Sequence, residues 1–156
     1  MTGSIAVNST ALELEGFLPY RLSVLSNTVS QAIAAEYEQR FGLSVTEWRV
    51  MAVLGRYAGI SAREVADRTA MDKVAVSRAV ARLLESGRVE RDVASHDKRQ
   101  SELRLTTSGR AIYRQVAPLA LKHETRLLAQ LDDAERQSLT RILDKLWQIE
   151  SSVLAG

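Results

Sequence analysis

The chain has 156 residues, a length typical of one domain, of which 46% are hydrophobic and 26% are charged. It contains no Cys, which excludes disulfides, thiol nucleophiles, thiol redox sensing and Cys-based metal sites. Its two His argue against a His-rich metal site, so we expect neither a metal nor a cofactor. The two Pro, eight Gly and 5% aromatic residues favour a helical protein over a β-sandwich or barrel.

The positive charge is concentrated in the middle of the chain. The net charge is only +2, but residues 61–110 carry eleven Lys and Arg against eight Asp and Glu. The segments on either side are close to neutral. This distribution predicts an anion-facing module flanked by neutral helices.

The sequence shows no targeting or membrane segment. The first residues lack the basic and apolar regions of a signal peptide. The longest apolar run, residues 50–54, is far shorter than the roughly 18 residues that span a bilayer. We therefore expect a cytoplasmic protein.

The first predicted element is a long helix that begins near Pro19, a residue suited to the first helical turn. Apolar residues recur at helical spacing as far as Tyr37, and Gly42 is a favourable stop after Arg40 or Phe41. A helix of this length indicates a role in a dimer or a bundle.

Three shorter helices are predicted next from their N-terminal capping residues. Ser44 and Glu47 form the pattern of a capping box, and the helix that follows should end near residues 57–59. Ser61 and Glu64 repeat the pattern before a short helix to about residue 69. Asp72 is the predicted N-cap of the third helix in this group.

The helix after Asp72 has two distinct faces and ends at Gly87. Its inward face is apolar at helical spacing and comprises Val76, Ala79, Val80 and Leu83. Its outward face holds small residues and two arginines, namely Val74, Ser77, Arg78, Ala81 and Arg82. A short helix, a three-residue turn and a second helix with a basic outer face are typical of a helix-turn-helix.

A β-hairpin and two further helices complete the predicted order. Residues 88–91 and 101–105 alternate in polarity around a polar loop, residues 92–100, which predicts the wing of a winged helix. Residues 106–109 cap a helix over about 110–130, with a kink at Pro118. Asp132 and Glu135 form a capping box before a last helix that reaches about residue 153.

The wing region carries a specific motif. Residues 97–109 fit the pattern D-x-R-x-x-x-L-x-L-T-x-x-G, and the segments 71–78 and 83–91 precede it at fixed spacing. Together they closely resemble the multiple-antibiotic-resistance regulator (MarR) family of bacterial winged-helix proteins, over about residues 18–153.

This resemblance implies a mainly α fold with a small β-hairpin wing. A single domain over 1–156 would contain a winged helix-turn-helix over 44–108 and dimerisation helices over 12–41 and 109–153. It further implies a homodimer on a pseudo-palindromic double-stranded DNA operator, usually a repressor that a small ligand releases.

The predicted DNA-binding residues lie on the two helices of the helix-turn-helix and on the wing. By the resemblance, Arg99 enters the minor groove, and Asp97 orients Arg99 or braces the wing. Arg78 is the first choice for reading a guanine, whereas the apolar side chains of Val74 and Ala75 can contact a thymine methyl group but cannot hydrogen-bond. The complete set is Arg63, Lys73, Val74, Ala75, Ser77, Arg78, Arg82, Asp97, Lys98 and Arg99.

Each of these residues also has a plainer interpretation. Arg78 and Arg82 could be solvated helix residues, Lys98 a phosphate contact or a free surface charge, and Ser61 only a helix cap. Many members of the family have Ser-Thr where this chain has Val74 and Ala75, so an operator sequence does not transfer.

The resemblance also implies an effector site, because family members often hold a phenolic or aromatic acid near the dimerisation helices. The predicted residues offer flat apolar faces or a positive counter-charge: Tyr20, Arg21, Trp48, Arg49 and Tyr113. The predicted effector is an aromatic acid or its coenzyme A thioester. Alternatively, Trp48 is a core residue and Arg49 forms an intrachain salt bridge.

Two other function classes compete with a DNA-binding regulator. An enzyme is disfavoured because the sequence has no nucleophile–base set, phosphate-binding loop or metal-ligand spacing. A winged-helix protein–protein adaptor without specific DNA binding would have less reason to keep basic residues on both the recognition helix and the wing. We therefore predict a ligand-responsive transcriptional regulator.

Overall fold

Helices and a short hairpin make up the computed structural model, which describes residues 11–92 and 101–156. In chain order the elements are a 3-10 turn (Leu14–Gly16), α1 (Leu18–Phe41), α2 (Val45–Arg56), α3 (Ala62–Thr69), α4 (Lys73–Glu85), β1 (Val89–Asp92), β2 (Glu102–Leu105), α5 (Thr107–Leu128) and α6 (Asp133–Ala155). The mainly helical fold with a small wing is thereby confirmed.

The chain separates into two compact units, and the first, which ends at Val45, contains α1. Helix α1 ends as predicted, because Gly42 takes a left-handed φ of 62° that a residue with a side chain rarely adopts. The Gly42 N–H closes the helix on the Glu38 carbonyl at 2.8 Å. Among the described residues of this unit, Ala34, Tyr37 and Leu43 are buried.

The second unit, which begins at Thr46, holds a core to which helices α2 to α5 and both strands contribute. Its members are apolar positions at helical or alternating spacing: Val50, Met51, Leu54, Ile60, Val65, Ala66, Val76, Ala79, Val80, Leu83, Val89, Leu103, Leu105 and Val116. The predicted inward face of α4 is therefore confirmed.

Strands β1 and β2 form an antiparallel hairpin in which Val89 pairs with Leu105 and Asp92 with Glu102. The hairpin has one extra partner, since Ile60 forms a bridge to Leu103 through hydrogen bonds from Gly59 and Leu103 N–H groups. Ile60, two residues before α3, thus joins the wing to the helix-turn-helix, a pairing that the sequence pattern does not reveal.

Helix α5 begins at Thr107, three residues before the predicted start, because Thr106 is its N-cap. The Thr106 hydroxyl accepts the Gly109 N–H at 3.0 Å. The helix continues through Pro118 as one element and ends at Leu128.

The turn into α6 is held by side chains from the start of that helix. The predicted capping box is present in both directions, with the Glu135 N–H donating to Asp132 and the Asp132 N–H donating to Glu135. The Arg136 guanidinium donates to the Leu128 and Leu131 carbonyls at 2.8 and 3.1 Å. These bonds tie the first turn of α6 to the last residue of α5 and to the turn between the two helices.

Candidate functional site

The first turn of α4 projects from the surface and is well formed. The Asp72 carboxylate accepts the Ala75 N–H at 3.0 Å, so the helix has the N-cap that the sequence predicted. Lys73 and Val74 follow as exposed residues, and Ala75 is half-buried. This turn therefore presents a cation and an apolar side chain next to the positive end of the helix dipole.

The remainder of α4 keeps its outer face separate from the core. Ser77, Arg78 and Arg82 are exposed, whereas the inward residues of the same helix are at most 2% exposed. The arrangement is a solvent-facing helix surface with two cations and a hydroxyl group.

Helix α3 packs against α4 and supports it. Ser61 caps α3 by accepting the Glu64 N–H at 3.2 Å, and Arg63 is exposed in the first turn. The chain then reverses at Ala70, which takes a left-handed φ of 51° and leads into Asp72. The short turn fixes α4 relative to α3, as in a helix-turn-helix.

A cation–π contact holds the far end of α3. The Arg68 guanidinium lies 3.9 Å from the centroid of the Tyr57 ring, and Arg56 lies 5.1 Å from the same ring. Sequence reasoning missed this contact, because residues 57 and 68 meet only after α2 and α3 pack. Arg68 is thereby engaged within the protein, whereas Arg63 points to solvent from the other end of α3.

The base of the wing carries an ion pair between its two strands. Arg104 donates to the Asp92 carboxylate, and both side chains are about 40% exposed. Three predicted DNA-binding residues, Asp97, Lys98 and Arg99, lie outside the described residues.

The last part of the wing motif has a structural role at the junction of the wing and α5. Besides capping α5, the Thr106 hydroxyl donates to the Gly87 carbonyl at 2.6 Å. A Cβ atom on Gly109 would lie 1.9 Å from the Arg88 carbonyl oxygen. Thr106 and Gly109 therefore let the start of α5 pack directly against the end of the helix-turn-helix.

Two of the predicted effector residues form an aromatic cluster between α2 and α5. The Trp48 and Tyr113 rings are stacked, with centroids 5.8 Å apart and planes 29° apart. The Tyr113 ring also covers Gly55, where a Cβ atom would lie 2.5 Å from it. Gly55 was not predicted as part of this cluster, since its role depends on a residue 58 positions later.

The remaining predicted effector residues are Arg49, Tyr20 and Arg21. Arg49 Nη1 lies 3.9 Å from the Met71 sulfur, at the turn before α4. Tyr20 and Arg21 belong to the first unit, where both are exposed in the first turn of α1.

Two kinds of feature are absent from the described ranges. No three His, Asp or Glu side chains in residues 11–92 and 101–156 are grouped so that they could hold a metal ion. No helix in the same ranges combines the length and hydrophobicity that crossing a bilayer requires.

Comparison with known proteins finds transcriptional regulators, by sequence and by structure. The family model for the MarR family matches residues 41–100. A MarR/EmrR family transcriptional regulator from Acinetobacter sp. ADP1 has a TM-score of 0.81 and 30% identity, over 90% of this chain and 99% of that one. An HTH-type transcriptional repressor from Mycobacterium tuberculosis is 27% identical over 132 residues, which are 84% of this chain and 91% of the relative.

One similar structure contains a ligand. It is a Mycobacterium tuberculosis MarR family protein in complex with salicylic acid, with a TM-score of 0.64 and 24% identity. The match covers 83% of this chain and 96% of that one, and at this identity it shows a shared fold.

Proposed function

The chain belongs to the MarR family of winged helix-turn-helix transcriptional regulators, and we propose that it is a repressor that binds a pseudo-palindromic operator as a homodimer. A small aromatic acid or its coenzyme A thioester releases it from the DNA. Its relatives are transcriptional regulators, which agrees with the prediction that the chain is not an enzyme.

The outer face of α4 carries the DNA-binding part of the proposal. Lys73, Ser77, Arg78 and Arg82 are all exposed on a helix whose opposite face is sealed in the core. An exposed guanidinium can donate two hydrogen bonds to the O6 and N7 atoms of guanine in the major groove. Lys73 and Arg82 are the proposed phosphate contacts, and such contacts fix the register of a helix on the duplex.

The remaining DNA contacts come from the two ends of this region. Arg63, which is exposed in the first turn of α3, is a proposed contact to the DNA backbone. Arg99, with Asp97 and Lys98, is assigned to the minor groove by the family resemblance, since narrow minor grooves attract guanidinium groups. The DNA-reading region is then 44–108, between dimerisation segments 12–41 and 109–153.

Exposed apolar side chains on α6 support a homodimer. One side of this helix bears Leu139, Ile142, Leu143, Trp147, Ile149 and Val153, all exposed. Trp147 alone leaves 65% of its surface in solvent. A contiguous apolar surface of this kind is typical of a protein–protein interface, and two-fold symmetry would place two α4 helices about one DNA turn apart.

The Trp48–Tyr113 stack supports the effector part of the proposal. Stacked aromatic rings offer a flat apolar wall to an aromatic ligand, and Arg49 of the same unit is a candidate partner for its carboxylate. Tyr20 and Arg21 are assigned to the effector by the family resemblance alone. The salicylic acid complex of a protein with the same fold is consistent with this class of ligand.

DNA binding is tested with duplexes selected by the full-length protein from a random-sequence pool. We expect the selected duplex to bind more tightly than a scrambled duplex, with an affinity that falls steeply as salt rises. Arg78→Ala should abolish the preference for the selected duplex, and Arg99→Ala should weaken binding without changing the fold. Arg126→Ala, which removes an exposed arginine of α5, is the matched control and should bind normally.

If the protein showed no preference for any duplex over its scrambled counterpart, the operator proposal would be wrong and the adaptor alternative would gain support.

The effector proposal is tested on the protein–DNA complex with salicylate, 4-hydroxycinnamate and the coenzyme A thioester of the latter. We expect at least one of them to raise the dissociation constant for DNA about tenfold or more, a coupling within the usual allosteric range. Trp48→Ala should reduce that coupling. Unchanged DNA affinity with all three compounds would contradict the proposed effector class.

A further inference from the structure

Val74 stands out on the surface of the helix-turn-helix. Between Tyr57 and Leu121, it is the one large hydrophobic side chain that is exposed among the described residues, with 56% of its surface in solvent. Every other large apolar side chain described in that stretch is buried or half-buried. Its position in the first turn of α4 places it where a recognition helix meets base edges.

Helical geometry places Val74 directly opposite the core. Leu83 is nine residues later, which at about 100° per residue puts it roughly 180° around the helix, and Leu83 is fully buried. The outermost ridge of α4 therefore runs from Val74 through Arg78 and Ala81 to Glu85, and all four residues are exposed. Arg78 and Glu85 are charged and Ala81 is small, so Val74 is the residue of this ridge with a sizeable apolar side chain.

The charges along the ridge indicate which end of the helix approaches DNA. Lys73 and Arg78 flank Val74, and their two positive charges outweigh the one Asp72 carboxylate that caps this end of the helix. Glu85 lies at the opposite end, where its carboxylate would be repelled by phosphates. The N-terminal half, with Val74 at its outermost point, is the half that fits into a negatively charged groove.

In the major groove, the one apolar feature that a base pair presents is the thymine C5-methyl group. We propose that Val74 reads a thymine in each operator half-site by packing against that methyl group. This inference rests on the proposed operator binding and adds a base identity to it.

The position of that thymine follows from the spacing of Val74 and Arg78. The two residues are one turn apart, with side chains about 5–6 Å from each other. This separation corresponds to roughly two base-pair steps of 3.4 Å. The thymine should therefore lie within about two base pairs of the guanine that Arg78 reads.

The test removes single methyl groups from the DNA. Each thymine of the selected duplex is replaced in turn, in both half-sites, by deoxyuridine, which differs only in lacking the C5-methyl group. Dissociation constants are measured by fluorescence anisotropy for the wild type, Val74→Ala and Val74→Thr. Because Val74 is exposed, all three proteins should unfold at the same temperature, which thermal denaturation checks.

We expect one symmetric pair of thymines at which the wild type loses about fourfold in affinity per half-site, the value of one buried methyl group. Val74→Ala should bind the thymine and deoxyuridine duplexes equally, whereas Val74→Thr, which keeps one methyl group, should retain part of the difference. The other thymines of the duplex serve as internal controls.

Two results would overturn the inference, and they are distinguishable. If the selection yields a preferred duplex but no thymine shows a loss that depends on Val74, the methyl contact is wrong and operator binding stands. If the selection yields no preferred duplex, the operator proposal itself fails, and the assignment of Val74 fails with it.

Discussion

Gly109 has no room for a side chain, because a Cβ atom there would lie 1.9 Å from the carbonyl oxygen of Arg88. The same Arg88 carbonyl oxygen accepts the Thr106 N–H at 3.1 Å, and the Arg88 N–H donates to the Leu83 carbonyl. The backbone of Arg88 is therefore fixed by hydrogen bonds on both of its sides. The final Gly of the wing motif is therefore explained by packing, independently of any contact with DNA.

This close approach predicts a large effect of a small substitution. Gly109→Ala should destabilise the protein by about 1–3 kcal/mol or more, because the backbone of α5 must move away from residue 88. The measurement is urea denaturation followed by circular dichroism, at one protein concentration. Gly16→Ala is the matched control, since a Cβ atom on Gly16 meets nothing within 4 Å. Equal stability of the two variants would contradict the packing role of Gly109.

Gly55 predicts a different outcome, because its neighbour is a side chain. A Cβ atom at residue 55 would come within 2.5 Å of the Tyr113 ring, which can rotate or shift. Gly55→Ala should leave stability nearly unchanged, since about 1 kcal/mol of gained helix propensity offsets a lost aromatic pair of similar size. The Tyr113 ring should nevertheless leave its stacked position on Trp48.

Tryptophan fluorescence reports that movement. In a Trp147→Phe background, Trp48 is the single tryptophan, and Gly55→Ala should change its emission. Adding Tyr113→Ala should abolish the effect of Gly55→Ala, because the displaced ring is then missing. An emission spectrum insensitive to Gly55→Ala would show that the stack does not depend on the glycine.

At the scale of elements, the hairpin is tied to the rest of the winged helix along its inner strand. Strand β2 pairs with β1 on one side and with Ile60 on the other, so its Leu103 is buried at 1% exposure. The Arg104–Asp92 pair lies on the outer face, where water screens it. The apolar side of the strand, rather than the ion pair, should therefore supply most of the stability of the wing.

A double-mutant cycle separates these contributions. Asp92→Asn and Arg104→Gln should couple by about 0.2–1 kcal/mol, the range for exposed ion pairs. The coupling should fall in 1 M NaCl, where the Debye length is about 3 Å. A coupling of several kcal/mol that persists in high salt would mean that the pair is effectively buried.

At the scale of the whole molecule, the exposed apolar side of α6 is the strongest indication that the chain works as an oligomer. Leu143→Glu should give a monomer, because a carboxylate would be buried without a partner in the proposed interface. The measurement is light scattering after size exclusion, where the wild type should have twice the 17.3 kDa mass of one chain. DNA affinity should fall about tenfold or more, because a monomer can no longer bind both half-sites of the operator at once.

The matched control for Leu143→Glu lies on the polar side of the same helix. Gln148 is five residues later, roughly 140° around α6, and Gln148→Glu introduces the same charge there. This variant should remain a dimer. A monomeric wild type, or a dimeric Leu143→Glu variant, would contradict an interface through this face.

The order of helices and the two faces of α4 could be predicted from the sequence, because their causes are local. Asp72 caps α4 by accepting the N–H of the residue three positions later. Val76, Ala79 and Leu83 share a buried face through the 3.6-residue period alone. The candidate DNA-binding surface on α4 follows from the same periodicity. The role assigned to Arg99 rests on the family motif, and the roles assigned to Tyr20 and Arg21 depend on how a ligand site is assembled. These roles do not follow from the local sequence pattern.

By itself, the sequence determined the element types, the caps of α3, α4, α5 and α6, and membership of a family of DNA-binding regulators. Only the tertiary structure decided which distant residues meet: Gly109 with Arg88, Gly55 with Tyr113, Ile60 with Leu103, and Arg68 with Tyr57. The physical reason is that a cap or a helical face is set by neighbours within four residues. A steric limit such as that at Gly109 exists only once two separate segments have packed together.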